Sequence, residues 1–364
     1  MKIALLGSRG IPNNHGGFEQ FAEYFSVYLA QNNHEVYVYN SHDHVYQETE
    51  FKGVKIIHCY DPEQKIGTSG QFIYDLNCIL DSRRRNFDVI LQLGYTSNSV
   101  WHWLLPKNAC IVTNMDGMEW KRSKYSNPVK KFLKYAESLA IKSSDFLISD
   151  SIGIQEYILQ NYDQKSKYIA YGASVFEEPN ELVLDYYKVR KHEYCVLIAR
   201  LEPENNIETI IEGYSSSDAS YDLLIFGTLN DFGKMLQRKY ASDKRIRFVG
   251  ANYNQAELDS LRYFSRYYFH GHSVGGTNPS LLEAMASSAL IIAHNNIFNE
   301  SILGNEALYF SDSSDVTKIL KEDVFFGSKN LLSKRNIQKV EEKYNWNFIN
   351  STYEAFLINC RENS

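Results

Sequence analysis

The sequence has few of the features that mark redox, metal-binding or membrane-spanning chains. Its five cysteines are scattered and contain no C-x-x-C pair. They therefore predict neither a zinc knuckle nor a thioredoxin-type centre, and such a set is typical of a reducing cytosol. The longest apolar runs, such as residues 289–293, are far shorter than the ~20 residues of a spanning helix. The apolar start after Met1 is also too short for a signal peptide. We expect a cytoplasmic protein with, at most, peripheral membrane contact.

An excess of basic residues is also missing, because the net charge is −6 and the pI is about 6.0. A general nucleic-acid binder needs a basic footprint, so no nucleic-acid partner is expected. The 364 residues are 44% apolar and 23% charged. That balance is typical of a folded chain, and the length predicts two domains.

Short apolar runs alternate with longer amphipathic ones, the pattern of strand–helix–strand units on parallel sheets. Apolar residues from Phe18 to Leu29 recur at helical spacing and predict one such helix. The candidate strands are Ile3–Leu6, Val36–Tyr39, Val54–His58, Val89–Leu93, Cys110–Thr113 and Phe146–Ser149, then Cys195–Ala199, Leu223–Phe226, Arg247–Val249, Tyr267–His270 and Leu290–Ala293.

These patterns predict an α/β protein of two doubly wound, Rossmann-like domains. We place the first at residues 1–172, a polar linker at 173–192, the second at 193–340 and a C-terminal helix at 341–364. Ligands of open parallel sheets lie beyond the carboxyl ends of the strands. Two such domains facing one another would form a cleft, so chemistry is expected at the strand-to-helix turns.

The most informative turn is residues 271–285, GHSVGGTNPSLLEAM. Thr277 or Asn278 can cap a helix whose first residue is the following proline. Gly275 and Gly276 allow a ligand close to the backbone. Free amides at this helix start would hold a pyrophosphate. The alternative is a well-capped helix without a ligand.

Glu283 lies one turn into that helix, where a carboxylate could accept hydrogen bonds from ribose hydroxyls or simply be solvated. The run resembles the C-terminal signature of group 1 (family four) glycosyltransferases of the GT-B fold. In that signature two glutamates flank seven residues. Glu283 matches the second, associated with the ribose, and Gly275 replaces the first, associated with the transferred sugar. The variant is similar to the rhamnosyltransferase-like branch of bacterial polysaccharide synthesis.

Arg200 follows the first strand of the second half and could grip a pyrophosphate or pair with a nearby glutamate. Group 1 enzymes commonly carry Arg and Lys here, five positions apart. The resemblance therefore implies a donor-binding role for Arg200 and for the position of Asn205, which replaces the Lys. Gly227 and Thr228 close the next strand as candidate backbone contacts. Tyr253 could stack on a nucleobase or pack internally.

The turn after the first strand, residues 7–17, is not G-x-G-x-x-G, which disfavours a dinucleotide dehydrogenase. It resembles the N-terminal glycine loop of the same family, which implies that Gly16 and Gly17 approach the donor phosphate. Glu19, in the first turn of the next helix, either acts on a ligand or complements the helix dipole.

Asp116 and Glu119 follow the strand Cys110–Thr113 in the run DGMEW, similar to an Asp-Gly-x-Glu-Trp run of the rhamnosyltransferase-like branch. A carboxylate at this strand end could polarise an acceptor hydroxyl. We take both as catalytic candidates and prefer Asp116. A loop or capping aspartate is the alternative.

Residues 121–142 hold seven basic residues and one acid. Lys130, Lys131 and Lys134 lie off the apolar stripe of a predicted helix. This basic face could dock on anionic lipid or a lipid diphosphate, or it is a solvated helix side.

The resemblance, together with these features, implies a glycosyltransferase with a nucleotide-sugar donor, dTDP-L-rhamnose as first choice, and a lipid-diphosphate-linked saccharide acceptor at the inner face of the plasma membrane. The resemblance implies retention of anomeric configuration and a C-terminal helix that crosses back. The chain contains no Asp-x-Asp, so we expect no metal and no cofactor. The alternatives are a sugar-nucleotide epimerase of similar shape and a non-catalytic nucleotide-sugar-binding partner in polysaccharide assembly.

Overall fold

The structure is a computed structural model that describes residues 1–14 and 16–364. Its chain divides into two compact units. The first unit comprises Met1–Lys121, Tyr125–Tyr171 and Trp346–Ser364. The second comprises Arg122–Lys124 and Gly172–Asn345. Both are α/β units built on one sheet, as the alternating sequence pattern predicts.

The strands, in chain order, are β1 Lys2–Leu6, β2 Glu35–Ser41, β3 Glu50–Phe51, β4 Val54–Cys59, β5 Val89–Leu93, β6 Cys110–Asn114, β7 Phe146–Ser149, β8 Lys167–Tyr168, β9 Tyr194–Ile198, β10 Asp222–Phe226, β11 Ile246–Gly250, β12 Tyr267–His270, β13 Ile291–His294 and β14 Leu308–Phe310. Every pairing between them is parallel except β3 with β4, within the part of the chain that the structure describes.

The α-helices are α1 Gly17–Gln31, α2 Glu63–Ile66, α3 Gly70–Ser82, α4 Asn127–Ser143, α5 Ile152–Tyr162, α6 Leu182–Tyr187, α7 Ile207–Ser215, α8 Asp231–Lys239, α9 Gln255–Phe264, α10 Pro279–Ala286, α11 Ile297–Leu303, α12 Ser313–Glu322, α13 Lys329–Lys339 and α14 Trp346–Glu362. Short 3-10 helices span Gly67–Ser69, Ser99–Leu104, Glu119–Lys121, Pro203–Asn205 and Val324–Ser328, and a π-helix spans Val340–Tyr344. No described helix is long and apolar enough to cross a bilayer.

The first unit's sheet has the order β3-β4-β2-β1-β5-β6-β7-β8, and the second unit's sheet has the order β11-β10-β9-β12-β13-β14. In both sheets the strand order reverses beside the unit's first strand. The reversal lies between β1 and β5 in the first unit and between β9 and β12 in the second. Loops at such a switch point diverge to opposite faces and leave room for a ligand beyond the strand ends.

Hydrophobic periodicity predicted most of these elements. Phe21, Ala22, Phe25 and Leu29 form the buried face of α1. All eleven predicted strands are present within one or two residues of their predicted ends. The strands that sequence reasoning missed are β3, β8 and β14, each only two or three residues long. Such short segments show no alternation to detect.

The segments around the predicted boundaries differ from expectation. The stretch predicted as a linker, 173–192, lies in the second unit and contains α6, whose Val183, Leu184 and Tyr187 are buried. These apolar residues give the polar stretch a packed face. The final helical segment is divided at Asn345, and α14 belongs to the first unit. The chain thus returns to the first unit with α14.

Candidate functional site

The second unit brings two of the predicted binding turns to its switch point. Arg200 follows β9, and the turn with Gly275 and Gly276 follows β12. Because β9 and β12 are neighbouring parallel strands, both turns leave the same edge of the sheet. Sequence reasoning placed each turn at a strand end, and the strand order places them side by side.

Hydrogen bonds from two asparagine side chains link these two turns. The Asn205 Nδ2 donates to the Arg200 carbonyl at 2.8 Å, and its Oδ1 lies 3.0 Å from the His272 Nδ1. Asn206 donates to the Gly271 carbonyl at 2.7 Å. Asn205 is buried, and its side chain is engaged at both ends. Asn205 therefore links the two loops.

Arg200 is exposed, and no ion pair involves it within the described residues. The alternative of pairing with Glu202 or Glu204 is not what the structure shows. Glu202 instead lies near Arg122 and Lys124, and Glu204 accepts from the Ser123 hydroxyl at 2.6 Å. The Arg200 guanidinium is thus available to an anion from solvent.

The start of α10 has the predicted capping geometry. Asn278 is the N-cap, and its side chain accepts from the Ser280 N–H at 2.9 Å. Gly275 has a φ of 133°, a conformation that favours glycine. The N–H groups of Gly275 and Gly276 donate to no other described residue, whereas the Thr277 side chain is buried. Two unpaired amides before a helix N-terminus favour an anion.

Glu283 lies one turn further along α10, half-buried and paired with a buried arginine. Its Oε2 accepts from the Arg262 Nη2 at 2.7 Å. Arg262 is 1% exposed and also donates to Asp259 at 2.6 Å and to Ser280 at 2.9 Å. Burial raises the pKa of Glu283, and the Arg262 charge opposes that shift. Sequence reasoning missed Arg262, although a lone arginine among the apolar residues of α9 is a signal.

The two predicted residues of the turn after β10, Gly227 and Thr228, have different surroundings. The Gly227 N–H donates to the Gly250 carbonyl at 3.0 Å. A Cβ at Gly227 would lie 2.3 Å from the Ala199 carbonyl oxygen. Gly227 therefore permits close packing of neighbouring strand ends and has no free N–H for a ligand. Thr228 is exposed.

Tyr253 follows β11 and is 85% exposed rather than packed internally. It lines an open cavity of about 760 Å³ in the second unit, together with Tyr186, Asn252 and Glu257. Asn252 donates to Glu257 at 2.9 Å. Exposed aromatic faces beside amide and carboxylate groups can hold a planar, polar ligand.

In the first unit, Gly16 is the N-cap of α1 and Gly17 its first residue. Glu19 is buried and accepts from the backbone N–H of Arg9 at 2.9 Å. It therefore shapes the loop after β1, a role that neither sequence alternative named. The Arg9 guanidinium is bound by Glu63 at 2.6 Å. Residue 15 of the loop predicted to bind phosphate lies outside the described residues.

The run after β6 places Asp116 beyond the strand's carboxyl end, as predicted. Its N–H donates to the Asn114 Oδ1 at 3.0 Å, and its φ is 46°. A left-handed aspartate is uncommon outside turns and functional loops. Asp116 and Glu119 are both half-buried. Burial is the main reason why the pKa of Tyr95 is raised, and the charges of Glu137, Asp116 and Glu119 add to the shift in that order.

A buried carboxylate holds this loop. Glu137 on α4 is 2% exposed and accepts from the Trp120 indole N–H at 2.9 Å. It also accepts from Tyr157 at 2.7 Å, Tyr162 at 2.6 Å and Lys134 at 2.9 Å. The Tyr95 hydroxyl donates to it at 3.4 Å as well. This one carboxylate thus orders the Trp120 end of the DGMEW run. The single acid of the basic stretch was the sequence signal for it.

The predicted basic face contains fewer available charges than the sequence suggests. Lys134 pairs with Glu137, and Arg122 and Lys124 belong to the second unit. Lys131 remains exposed and Lys130 half-buried. The described residues contain no group of three or more His, Cys, Asp or Glu side chains arranged to hold a metal ion.

Sequence comparisons give limited information. A family model described as "Domain of unknown function (DUF1972)" matches residues 1–174. No curated protein shows a significant match.

Comparison with solved structures covers the whole chain. The chain is similar to sucrose-phosphate synthase from Thermosynechococcus elongatus, with a TM-score of 0.78, 14% identity and 100% of each chain covered. HepE of Anabaena in complex with UDP and glucose gives a TM-score of 0.77 at 14% identity over 99% of this chain and 100% of that one. A glycosyltransferase from Rickettsia africae gives a TM-score of 0.74 at 14% identity, with 100% of this chain and 99% of that chain covered. These similarities show that the chain has the GT-B fold.

Proposed function

We propose that the chain is a glycosyltransferase that uses a nucleotide-sugar donor. The observation that carries this proposal is the switch point of the second unit. There an exposed, unpaired Arg200 lies beside the two unpaired amides of Gly275 and Gly276 at the start of a capped helix. The GT-B fold supports it, as does the complex of the fold neighbour HepE with UDP and glucose.

In this proposal the second unit binds the donor. Arg200 and the amides before α10 neutralise the diphosphate, and their preorganised charge stabilises the leaving group as the glycosidic bond breaks. Arg262 binds one oxygen of Glu283, and we assign this carboxylate to accept from a ribose hydroxyl. The open cavity beside Tyr253 takes the nucleobase. We propose that no metal is needed, since the sequence contains no Asp-x-Asp.

Asp116 is proposed as the carboxylate that polarises the acceptor hydroxyl, with Glu119 as the second candidate. Its support is the ordered, left-handed turn at a strand end, fastened to the buried Glu137. Asp116→Asn keeps the size and the turn propensity of the side chain but removes the charge. Transfer at a near-normal rate by this variant would exclude Asp116 from the role.

The finer proposal is a retaining rhamnosyltransferase of cell-surface polysaccharide synthesis. Its donor is dTDP-L-rhamnose, and its acceptor is a lipid-diphosphate-linked saccharide at the inner face of the plasma membrane. The resemblance of the 271–285 and DGMEW runs supports the sugar class. Exposed Lys131 and half-buried Lys130 support contact with anionic lipid. Equal binding to anionic and neutral vesicles would contradict the membrane contact.

A thermal-shift panel of UDP-, GDP- and dTDP-sugars tests the donor site. At about 100 times its Kd, a ligand adds roughly 2.7 kcal/mol to stability. We expect dTDP-rhamnose to stabilise the wild type most. Arg200→Ala and Glu283→Gln should lose that stabilisation, and glutamine leaves Arg262 an acceptor.

Arg238→Ala, which removes an exposed arginine from α8, is the matched control and should respond like the wild type. Absence of any nucleotide-sugar effect on the wild type would contradict the proposed function. A sugar-nucleotide epimerase would convert the donor without an acceptor. A non-catalytic binding partner would bind the donor and release no nucleoside diphosphate with any acceptor.

A further inference from the structure

The resemblance to group 1 glycosyltransferases implies an arginine and a lysine at the diphosphate site, and this sequence has only the arginine. The position that carries lysine in them is Asn205, whose side chain is buried and engaged by Arg200 and His272. A diphosphate carries two to three negative charges, and one guanidinium neutralises only part of them. The structure places another guanidinium beside this site, from a distant part of the sequence.

That guanidinium belongs to Arg122. The short segment Arg122–Lys124 lies in the second compact unit, although its neighbours in sequence lie in the first. Two acids of the loop after β9 hold the segment. Glu204 accepts from the Ser123 hydroxyl at 2.6 Å, and Glu202 lies 3.4 Å from the Lys124 Nζ and 3.9 Å from the Arg122 Nη1. These contacts hold the segment, and with it Arg122, beside the loop that carries Arg200.

The electrostatics of His272 locate the same two cations at the switch point. Burial, followed by the charges of Arg122 and Arg200, lowers the pKa of His272 to about 3, and the charge of Glu204 opposes this shift. Both guanidinium groups therefore act on a single ring of the turn after β12. His272 stays neutral and adds no charge of its own.

We propose that Arg122 is the second cation of the diphosphate site and replaces the lysine that position 205 lacks. The inference rests on the proposed function, because it concerns the same donor site. Arg122 is 12% exposed, so its interaction with a phosphate is weakly screened by solvent. A guanidinium can bind two phosphate oxygens at once, which a lysine cannot. Glu202, 3.9 Å from the guanidinium, competes with a ligand for its charge.

The test is a binding titration of the full chain with UDP, dTDP, and the nucleosides uridine and thymidine. We expect Arg122→Gln to weaken binding of the preferred nucleoside diphosphate about tenfold, the loss of one charge-assisted contact. Binding of the matching nucleoside, which has no phosphate, should not change. Arg122→Lys should restore part of the diphosphate affinity.

Lys124→Gln is the matched control, because it removes a charge from the same segment and the same Glu202 partner. It should leave diphosphate affinity within about twofold of the wild type. Glu202→Gln distinguishes a ligand-binding Arg122 from a purely structural one. If Arg122 binds the ligand, removal of the competing carboxylate should preserve or raise diphosphate affinity. A purely structural Arg122–Glu202 pair would make both partner variants weaken binding.

The outcomes separate the two proposals. If the wild type binds neither these four ligands nor GDP or guanosine, the proposed function fails. If it binds a diphosphate and Arg122→Gln binds that diphosphate equally well, only the role of Arg122 fails. Equal weakening of diphosphate and nucleoside by Arg122→Gln also overturns the role, because a distorted site loses both.

Discussion

At the scale of single residues, a buried carboxylate makes the first unit sensitive to pH. Asp75 on α3 is 6% exposed, and the Ser97 hydroxyl donates to its Oδ2 at 2.5 Å. Burial raises its pKa from 3.8 to about 7. The Ser97 hydrogen bond opposes the shift, Asp61 adds to it and Arg9 opposes it. The folded protein therefore holds a proton on Asp75 at pH values where the unfolded chain has lost it.

We expect Asp75→Asn to remove this pH dependence. A raised pKa contributes stability that is fully present below about pH 4 and is lost as the pH rises through about 7. Asparagine keeps an acceptor for Ser97 and carries no charge. The stability of the variant relative to the wild type should therefore rise between pH 5 and pH 8, by up to about 3 kcal/mol. Urea unfolding at each pH measures the difference.

Asp163→Asn is the control for that substitution, since Asp163 is exposed at the end of α5. The stability difference between this variant and the wild type should stay constant across the range. A constant difference for Asp75→Asn as well would show that Asp75 is ionised in the folded protein at pH 5.

At the scale of elements, the two turns of the candidate donor site act as one because their backbones touch. A Cβ at Gly271 would lie 1.9 Å from the Asn205 carbonyl oxygen. The side chain of Asn206 also donates to the Gly271 carbonyl. The first residue after β12 must therefore be glycine for Arg200 and the start of α10 to lie side by side.

We expect Gly271→Ala to separate these turns, lower the free energy of unfolding by about 1–3 kcal/mol and abolish nucleotide binding. Circular dichroism during urea unfolding measures stability, and the titration above measures binding. Gly327→Ala is the matched control, because a Cβ there would meet nothing within 4 Å. Normal nucleotide binding by Gly271→Ala would contradict the claim that binding requires close contact between these two turns.

At the scale of the whole molecule, the last helix completes the core of the first unit. Trp346 stacks on Tyr24 with ring centroids 4.4 Å apart, and the Tyr353 hydroxyl accepts from Asn114 at 3.0 Å. Leu357 is fully buried. All four tryptophans, Trp101, Trp103, Trp120 and Trp346, also belong to this unit. Tryptophan fluorescence therefore reports on the first unit.

We expect Leu357→Ala to lower the stability measured by tryptophan fluorescence by about 2–5 kcal/mol, because it leaves a cavity beneath α14. Leu290→Ala is the matched control, since Leu290 is equally buried in the second unit. It should lower the fluorescence midpoint by less. An unchanged midpoint for Leu357→Ala would contradict the assignment of α14 to the first core.

Sequence patterns predicted the strands, the two α/β units and the cap of α10 because each depends on neighbours a few residues apart. Asn278, for example, caps a helix through the N–H of a residue two positions away. The turns with Arg200 and Glu283 were predictable for the same reason, since each follows a recognisable strand.

Pairings between distant segments could not be predicted in this way. Arg262 and Glu283 are on different helices. Trp120, in the run after β6, donates to Glu137 on α4. Asn205 was expected to contact the donor, and only the structure shows its side chain bridging two loops.

The sequence by itself thus determined which residues form strands, turns and caps, because periodicity and capping act over a few residues of chain. The tertiary structure alone decided which charges become partners. Arg122 illustrates the difference. It lies in a basic run whose next helix, α4, packs in the first unit, yet Arg122 itself meets Glu202 of the second unit. The energy of an ion pair depends on distance in space, and no local pattern encodes that distance.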